Sequence, residues 1–390
     1  MESRTRKRAS ARPALLLGTA KGGFILAEAN GAWRLSAPMQ FGSKVNDFRL
    51  DPRDGRTLLL ASNGGHLGPT LYRSVDRGRT WTEATQPPKF APASRAKRFA
   101  GTSRGRAVKT NFWLEPAAPS NPGAWYCGTT PPALFRSDDA GATWRGVDGW
   151  NENPSWATWT SGGDSGTPDG SMLHSIVVDP RDPAHLFVGV SSGGVFESRD
   201  AGASWAPLNR GVAADFLPPG DHAFGHDPHH VVAHPADPDR LYQQNHCGFY
   251  RLDRKKGDAW KRVGRNLPKE IGDVGFGVAV HPTDRDVAWM FPMDGTRLWP
   301  RTSPGGRPCV FRTDDGGRTW KRLDRGLPKR DAWFTVMRQA LCADDVAEAT
   351  GVYFGTTSGE VWGSFDRGAS WRSLAAHLPR IYSVRVARFR

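Results

Sequence analysis

Apolar residues in this chain come in short runs closed by turn chemistry. One set ends on Asp-Pro or a similar pair: VNDFRLDP, TNFWLEP, HSIVVDP, HHVVAHP and FGVAVHP. A second run follows (TLLLASN, AWYCGTT, HLFVGVSS, RLYQQNHC, VAWMFPMD, GVYFGTT), then a third (TLYRS, ALFRS, GVFES, GFYRL, CVFRT, EVWGS). Runs of about four to eight residues, rich in β-branched and aromatic side chains and bounded by Gly, Pro and Asp, predict strands. The pattern recurs as a unit, and a fourth strand is predicted after a distinctive turn.

That turn reads SVDRGRTW (74–81), SDDAGATW (137–144), SRDAGASW (198–205), TDDGGRTW (313–320) and SFDRGASW (364–371). A degraded copy ends at Trp260 and a vestige at Trp33, so Trp33, Trp81, Trp144, Trp205, Trp260, Trp320 and Trp371 mark seven units. The carboxylates of Asp76, Asp139, Asp200, Asp315 and Asp366 are placed to accept N–H groups of their own loop. The Gly two positions later supplies a φ that other residues resist, and the Trp fills the space beneath the turn. The first unit, ALLLGTAKGGFILAEANGAW, lacks an inner strand, while IYSVRVARF (381–389) has no turn of this kind after it. Placing the second segment inside the first unit closes the ring and hides both edges. The predicted fold is all-β: a seven-bladed β-propeller of four-stranded blades over 13–390, closed by its C-terminal strand in blade one, behind a basic tail at 1–12.

The five turns resemble the Asp-box, or BNR, repeat of β-propellers, and the resemblance covers residues 14–389. It implies that the box lies between the third and fourth strands of each blade and is structural. Sialidases carry such boxes on six blades and have an Arg-Ile-Pro motif; PRIY (379–382) stands at the other end of this chain and lacks the second proline. Xyloglucan-cleaving endoglucanases resemble the chain more in blade number. They cut in a cleft between two seven-bladed lobes, of which this chain would supply one. Sortilin-type receptors have a larger propeller with a cysteine-rich extension, and photosystem II assembly-factor-like proteins are seven-bladed scaffolds. The nearest resemblance is to bacterial single-propeller sortilin- or sialidase-like proteins, often labelled glycosyl hydrolases.

Composition narrows the setting. Sixteen Trp, 45 Gly and 30 Pro in 390 residues suit many short elements joined by turns. No apolar run reaches the length of a membrane helix, so no membrane span is expected. Cys127, Cys247, Cys309 and Cys342 are far apart, which suggests free thiols and a cytoplasmic setting. The net charge of +14 is concentrated in the tail and in 89–109. No nucleic-acid-binding motif accompanies these runs, so nucleic acid is not an expected partner; the chain is expected to be a monomer.

The face opposite the boxes carries the long segments 82–109, 145–171 and 206–228, and loops of that length are usually functional or disordered. The inner strands begin there, bringing Asn46, Asp47, Lys109, Asn111, His174, His229, His230, Arg338 and Gln339 towards the axis, with Asp221, His222 and His226 on the segment into blade five. Adjacent turns add Asn63, His66, Asn245, His246, Asp294, Arg297 and Arg301. Convergent polar groups at a propeller axis are the default ligand site. The residues assigned to ligand binding are His174, His229, His230, His246, Asp221, His222, His226, Asp47, Asn111 and Arg338. Four of these histidines, with Asp221, could hold a metal, but no HExxH or paired-cysteine spacing supports one, so no metal or cofactor is assigned. His234 and His281 take the Asp slot of the Asp-Pro turn and are read as structural. Glycoside hydrolysis needs two carboxylates across one bond; Asp47, Asp164, Asp169, Asp221 and Asp294 are the loop-face candidates. The function expected from all this is a ligand- or protein-binding scaffold acting through the loop face and central channel, with catalysis left open. The alternative is a glycan-acting hydrolase or lyase with its site in the same channel.

Overall fold

A computed structural model describes residues 13–163, 170–295 and 301–390. The basic tail, Asp164, Asp169 and Arg297 lie outside the described residues. Seven four-stranded antiparallel sheets are present, each in the order inner, second, third, outer. Blade one takes its inner strand from Ile381–Ala387, which pairs antiparallel with Ala14–Thr19 in the register Leu16 to Arg385 and Leu17 to Val384. The ring closes as predicted. Apolar residues between neighbouring sheets build the core, joined by Trp150 from an inter-blade segment, which sits edge-on to Phe196 at 5.0 Å and to Trp205 at 5.6 Å.

The repeated turn lies between third and outer strands. In the first copy Ser74 Oγ donates to Asp76 Oδ1 at 2.8 Å, and the N–H of Gly78 donates to Ser74 Oγ at 2.8 Å. Asp76 also accepts from the Thr80 N–H at 2.9 Å, and Trp81 Nε1 donates to the Gly78 carbonyl at 3.1 Å. Asp139, Asp200, Asp315 and Asp366 repeat the carboxylate contacts. Gly78 has φ +84°, and Arg77 before it also has a positive φ, so two successive left-handed residues make the turn. Trp320 departs from the pattern, donating instead to the Val263 carbonyl of the neighbouring blade at 2.9 Å.

Two of the long segments are packed. In 145–163, two short helices, Asp148–Asn151 and Trp156–Trp159, bury Trp150 and Trp156. In 82–109, Phe90 is buried against Phe135, Arg106 lies over the Trp156 ring and Arg104 pairs with Glu152. All four cysteines are free.

A buried charge network joins blades one, two and three. Arg385 Nε donates to Asp47 Oδ1 at 3.0 Å, and Asp47 Oδ2 accepts from the Leu114 N–H at 3.0 Å. Arg49 Nη2 donates to Glu115 Oε2 at 2.7 Å, and the same oxygen accepts from Trp113 Nε1 at 3.1 Å. The Arg385 guanidinium stacks 4.5 Å over the Trp113 ring.

Candidate functional site

The structure divides the assigned residues into three groups. Asp47 is spent in the network just described, and Asn111 is buried beside it, its carbonyl accepting from Asn46 Nδ2. Arg338 reaches across the axis: Nε donates to the His229 carbonyl at 3.1 Å, and the guanidinium lies 5.3 Å from the Phe276 ring and 5.9 Å from that of Phe112. This side chain, drawn from the segment into blade seven, packs against blades three, five and six. Near the axis these groups therefore form a packed filling, where the sequence predicts ligand-binding residues.

His174 and His230 belong to this filling. His174 is fully buried between Ser175 Oγ at 2.6 Å and the Pro228 carbonyl at 3.0 Å. His230 Nδ1 accepts the Val278 N–H at 3.2 Å, and its ring meets Trp113 at 5.3 Å. Burial holds both rings well below the ordinary histidine pKa, with Arg338 reinforcing the shift on His174 and Arg385 that on His230. Asp221 and His222 are turned outward, lining a groove of about 350 Å³ with Arg210 and Asn209. His222 Nε2 contacts the Pro218 carbonyl, and His226 Nε2 the His222 carbonyl.

Only His229 and His246 of the assigned histidines meet at the mouth, their rings 5.7 Å apart. Between them lies Asp227, which was not singled out in the sequence. Its Oδ2 is 3.6 Å from His229 Nε2 and 3.4 Å from His246 Nδ1. Three segments of blade five supply the group: the residue before the inner strand Pro228–His234, that strand's second residue, and the turn joining Asp237–Asn245 to Gly248–Asp253. Burial pushes Asp227 up, but His229, His246 and Arg338 outweigh it and hold the carboxyl far below its usual range. Burial lowers His229, with Asp227 opposing. His229 Nδ1 lies 2.6 Å from the Gly275 carbonyl. Asp227 Oδ1 is buried with no hydrogen-bond partner. Asp227, His229 and His246 are the one group among the described residues with metal-ligand geometry.

Blade six completes the mouth. Arg301 Nη2 lies 3.3 Å from His246 Nε2, and the Arg301 carbonyl accepts from Thr335 Oγ1. Burial lowers the Arg301 pKa, opposed by the charges of Asp294 and Asp227. Two aromatic side chains are exposed here. Phe216, 49% exposed, meets His246 edge-on at 5.5 Å. Trp333, 61% exposed, lies over Gly306, where a Cβ would come within 2.8 Å of its ring. Neither was singled out in the sequence, because both stand in irregular segments with no repeat to frame them.

No family model matches the chain. It is 26% identical over 344 residues to a xyloglucanase of Paenibacillus sp, covering 80% of this chain and 29% of that protein. Xyloglucanase Xgh74A of Acetivibrio thermocellus is 27% identical over 307 residues, covering 72% of this chain and 32% of that protein. The chain thus spans about a third of the length of these curated relatives. Among solved structures, the GH74 xyloglucanase of Xanthomonas campestris superposes with a TM-score of 0.65 at 21% identity, over 94% of this chain and 53% of that one. These relatives overturn the expectation of a binding scaffold: the proteins this chain is similar to in sequence are glycan-cleaving enzymes.

Proposed function

We propose that this protein is a glycan-acting hydrolase whose site is the mouth between blades five and six. The observation that carries the reading is a polar floor of Asp227, His229, His246 and Arg301 flanked by two exposed aromatics, Phe216 and Trp333. Flat aromatic faces suit the C–H faces of sugar rings, and a floor of donors and acceptors suits their hydroxyls. Similarity to two xyloglucanases supports a β-glucan as the first substrate class to test. The floor is where water would be activated, and Asp294, whose charge acts on Arg301, is the candidate second carboxylate. Asp47 is excluded from such a role by its ion pair with Arg385.

The test is reducing-end release from xyloglucan and a panel of other β-glucans by the full chain. Loss of a positioned acid or base costs about 10²–10⁴-fold in rate, so Asp227→Asn and Asp294→Asn should each fall by roughly 10²-fold or more while remaining folded. A wild-type protein that releases nothing from any polysaccharide of the panel would overturn the proposal.

A further inference from the structure

The floor of the mouth is chemically incomplete. His229 Nδ1 stands 2.6 Å from the Gly275 carbonyl, a contact that requires the proton on Nδ1. In the neutral ring Nε2 is then a lone pair, and it faces Asp227 Oδ2 at 3.6 Å. At that spacing the two groups face each other without a hydrogen bond of ordinary length. The other oxygen, Asp227 Oδ1, is buried and unpartnered, and Asp227 itself is only 8% exposed. A buried carboxylate oxygen with no partner is costly unless something comes to meet it.

The spacing suggests what that is. Charge-assisted N–H···O bonds run to about 2.7–2.9 Å, whereas His229 and His246 stand off Asp227 Oδ2 at 3.6 and 3.4 Å. Around a tetrahedral zinc with ligands at about 2.0–2.1 Å, neighbouring ligand atoms are about 3.3–3.4 Å apart. A backbone carbonyl on the far nitrogen of a ligating imidazole is the usual orienting contact, and Gly275 supplies it. Two imidazoles and one carboxylate leave a coordination position open towards the mouth.

We propose that Asp227, His229 and His246 bind a divalent cation of the zinc class at the mouth of blade five. Arg301 is its competitor. Its Nη2 lies 3.3 Å from His246 Nε2, which must accept, so the cation-free ring carries its proton on Nδ1. Ligation through Nδ1 moves that proton to Nε2 and ends the Arg301 contact. Cation and guanidinium therefore exclude each other at His246. On the hydrolase reading the cation would activate water by lowering its pKa. Binding itself does not depend on that reading, because it is measured without substrate.

The experiment uses untagged full-length protein, stripped with a chelator and titrated with zinc chloride by calorimetry, with thermal unfolding followed in parallel. Binding of a single equivalent with a rise in the unfolding midpoint is expected. Asp227→Asn, isosteric and folded by circular dichroism, should abolish both. His222→Ala, on the outer groove, should change neither, and Arg301→Gln should bind zinc more tightly than wild type. A folded wild-type protein that takes up no zinc, or an Asp227→Asn variant that binds as wild type does, would overturn the proposal.

Discussion

Two buried polar clusters sit within one ring and differ in how closely their charges are paired. Between blades one, two and three, Asp47, Arg385, Arg49 and Glu115 are matched two against two. They add the Leu114 N–H and the Trp113 indole as further donors. At the mouth between blades five and six, Asp227 has two imidazoles at long range and one oxygen unanswered. Closely paired charges rigidify a fold, and a buried carboxylate left short of partners calls for an explanation. The first cluster is mortar between blades; the second is the proposed site.

Removing residues beyond Leu378 tests the first cluster most severely. The truncation takes away Ile381–Ala387 together with Arg385, leaving Ala14–Thr19 without its inner neighbour and Asp47 without its cation. Insoluble or partly unfolded protein is expected, and an unchanged thermal transition would break the closure argument. Asp47→Asn comes next, since removing one partner of a buried ion pair costs about 3–5 kcal/mol. Asp227→Asn, by contrast, should cost less, about 1–3 kcal/mol, because its imidazoles stand at 3.6 and 3.4 Å rather than in a closed ion pair. Equal losses for the two substitutions in denaturant titrations would erase the distinction between the clusters.

The repeated turns offer a smaller effect. Asp139→Ala leaves N–H groups of its turn unsatisfied, at a cost of about 1–3 kcal/mol. The turn carboxylates also set the acid response. At Asp315 burial pushes the pKa up, but hydrogen bonds from Thr319 and Thr313 overcome it and bring it down to about 2. A carboxyl held lower in the folded than in the unfolded chain stabilises above its unfolded pKa of about 3.9, and that contribution fades as pH falls through the folded value. Stability should therefore decline between about pH 4 and pH 2, and Asp315→Asn should flatten that slope. Smallest in stability is Trp333→Ala, which should leave the unfolding midpoint in place while weakening retention on immobilised xyloglucan. Undiminished retention would remove Trp333 from the site.

The ring was legible because its signals are local. Asp, Gly and Trp at fixed offsets report a turn that each unit must make for itself, and ALLLGT without an inner strand pointed directly to residues 381–389. The site was legible only in part. His229 and His246 were visible as titratable residues at strand ends, but sequence alone did not separate them from His174 and His230, which fill the axis. Asp227 was hidden in an Asp-Pro pair identical in form to the structural Asp179-Pro180. Arg301 comes to His246 from 55 residues away, through a contact that no spacing announces.

Closure of blade one also has a temporal side. The strand Ala14–Thr19 leaves the ribosome early, apolar on both faces, and its inner partner follows only with residues 381–387. At about 5–20 residues per second, that interval is roughly 20–70 s. Through it, six blades can assemble while an edge of Leu15, Leu16 and Leu17 waits open. The protein should need a holding chaperone most in the interval just before residues 381–387 emerge, when nearly all of the ring is complete and its seam is not.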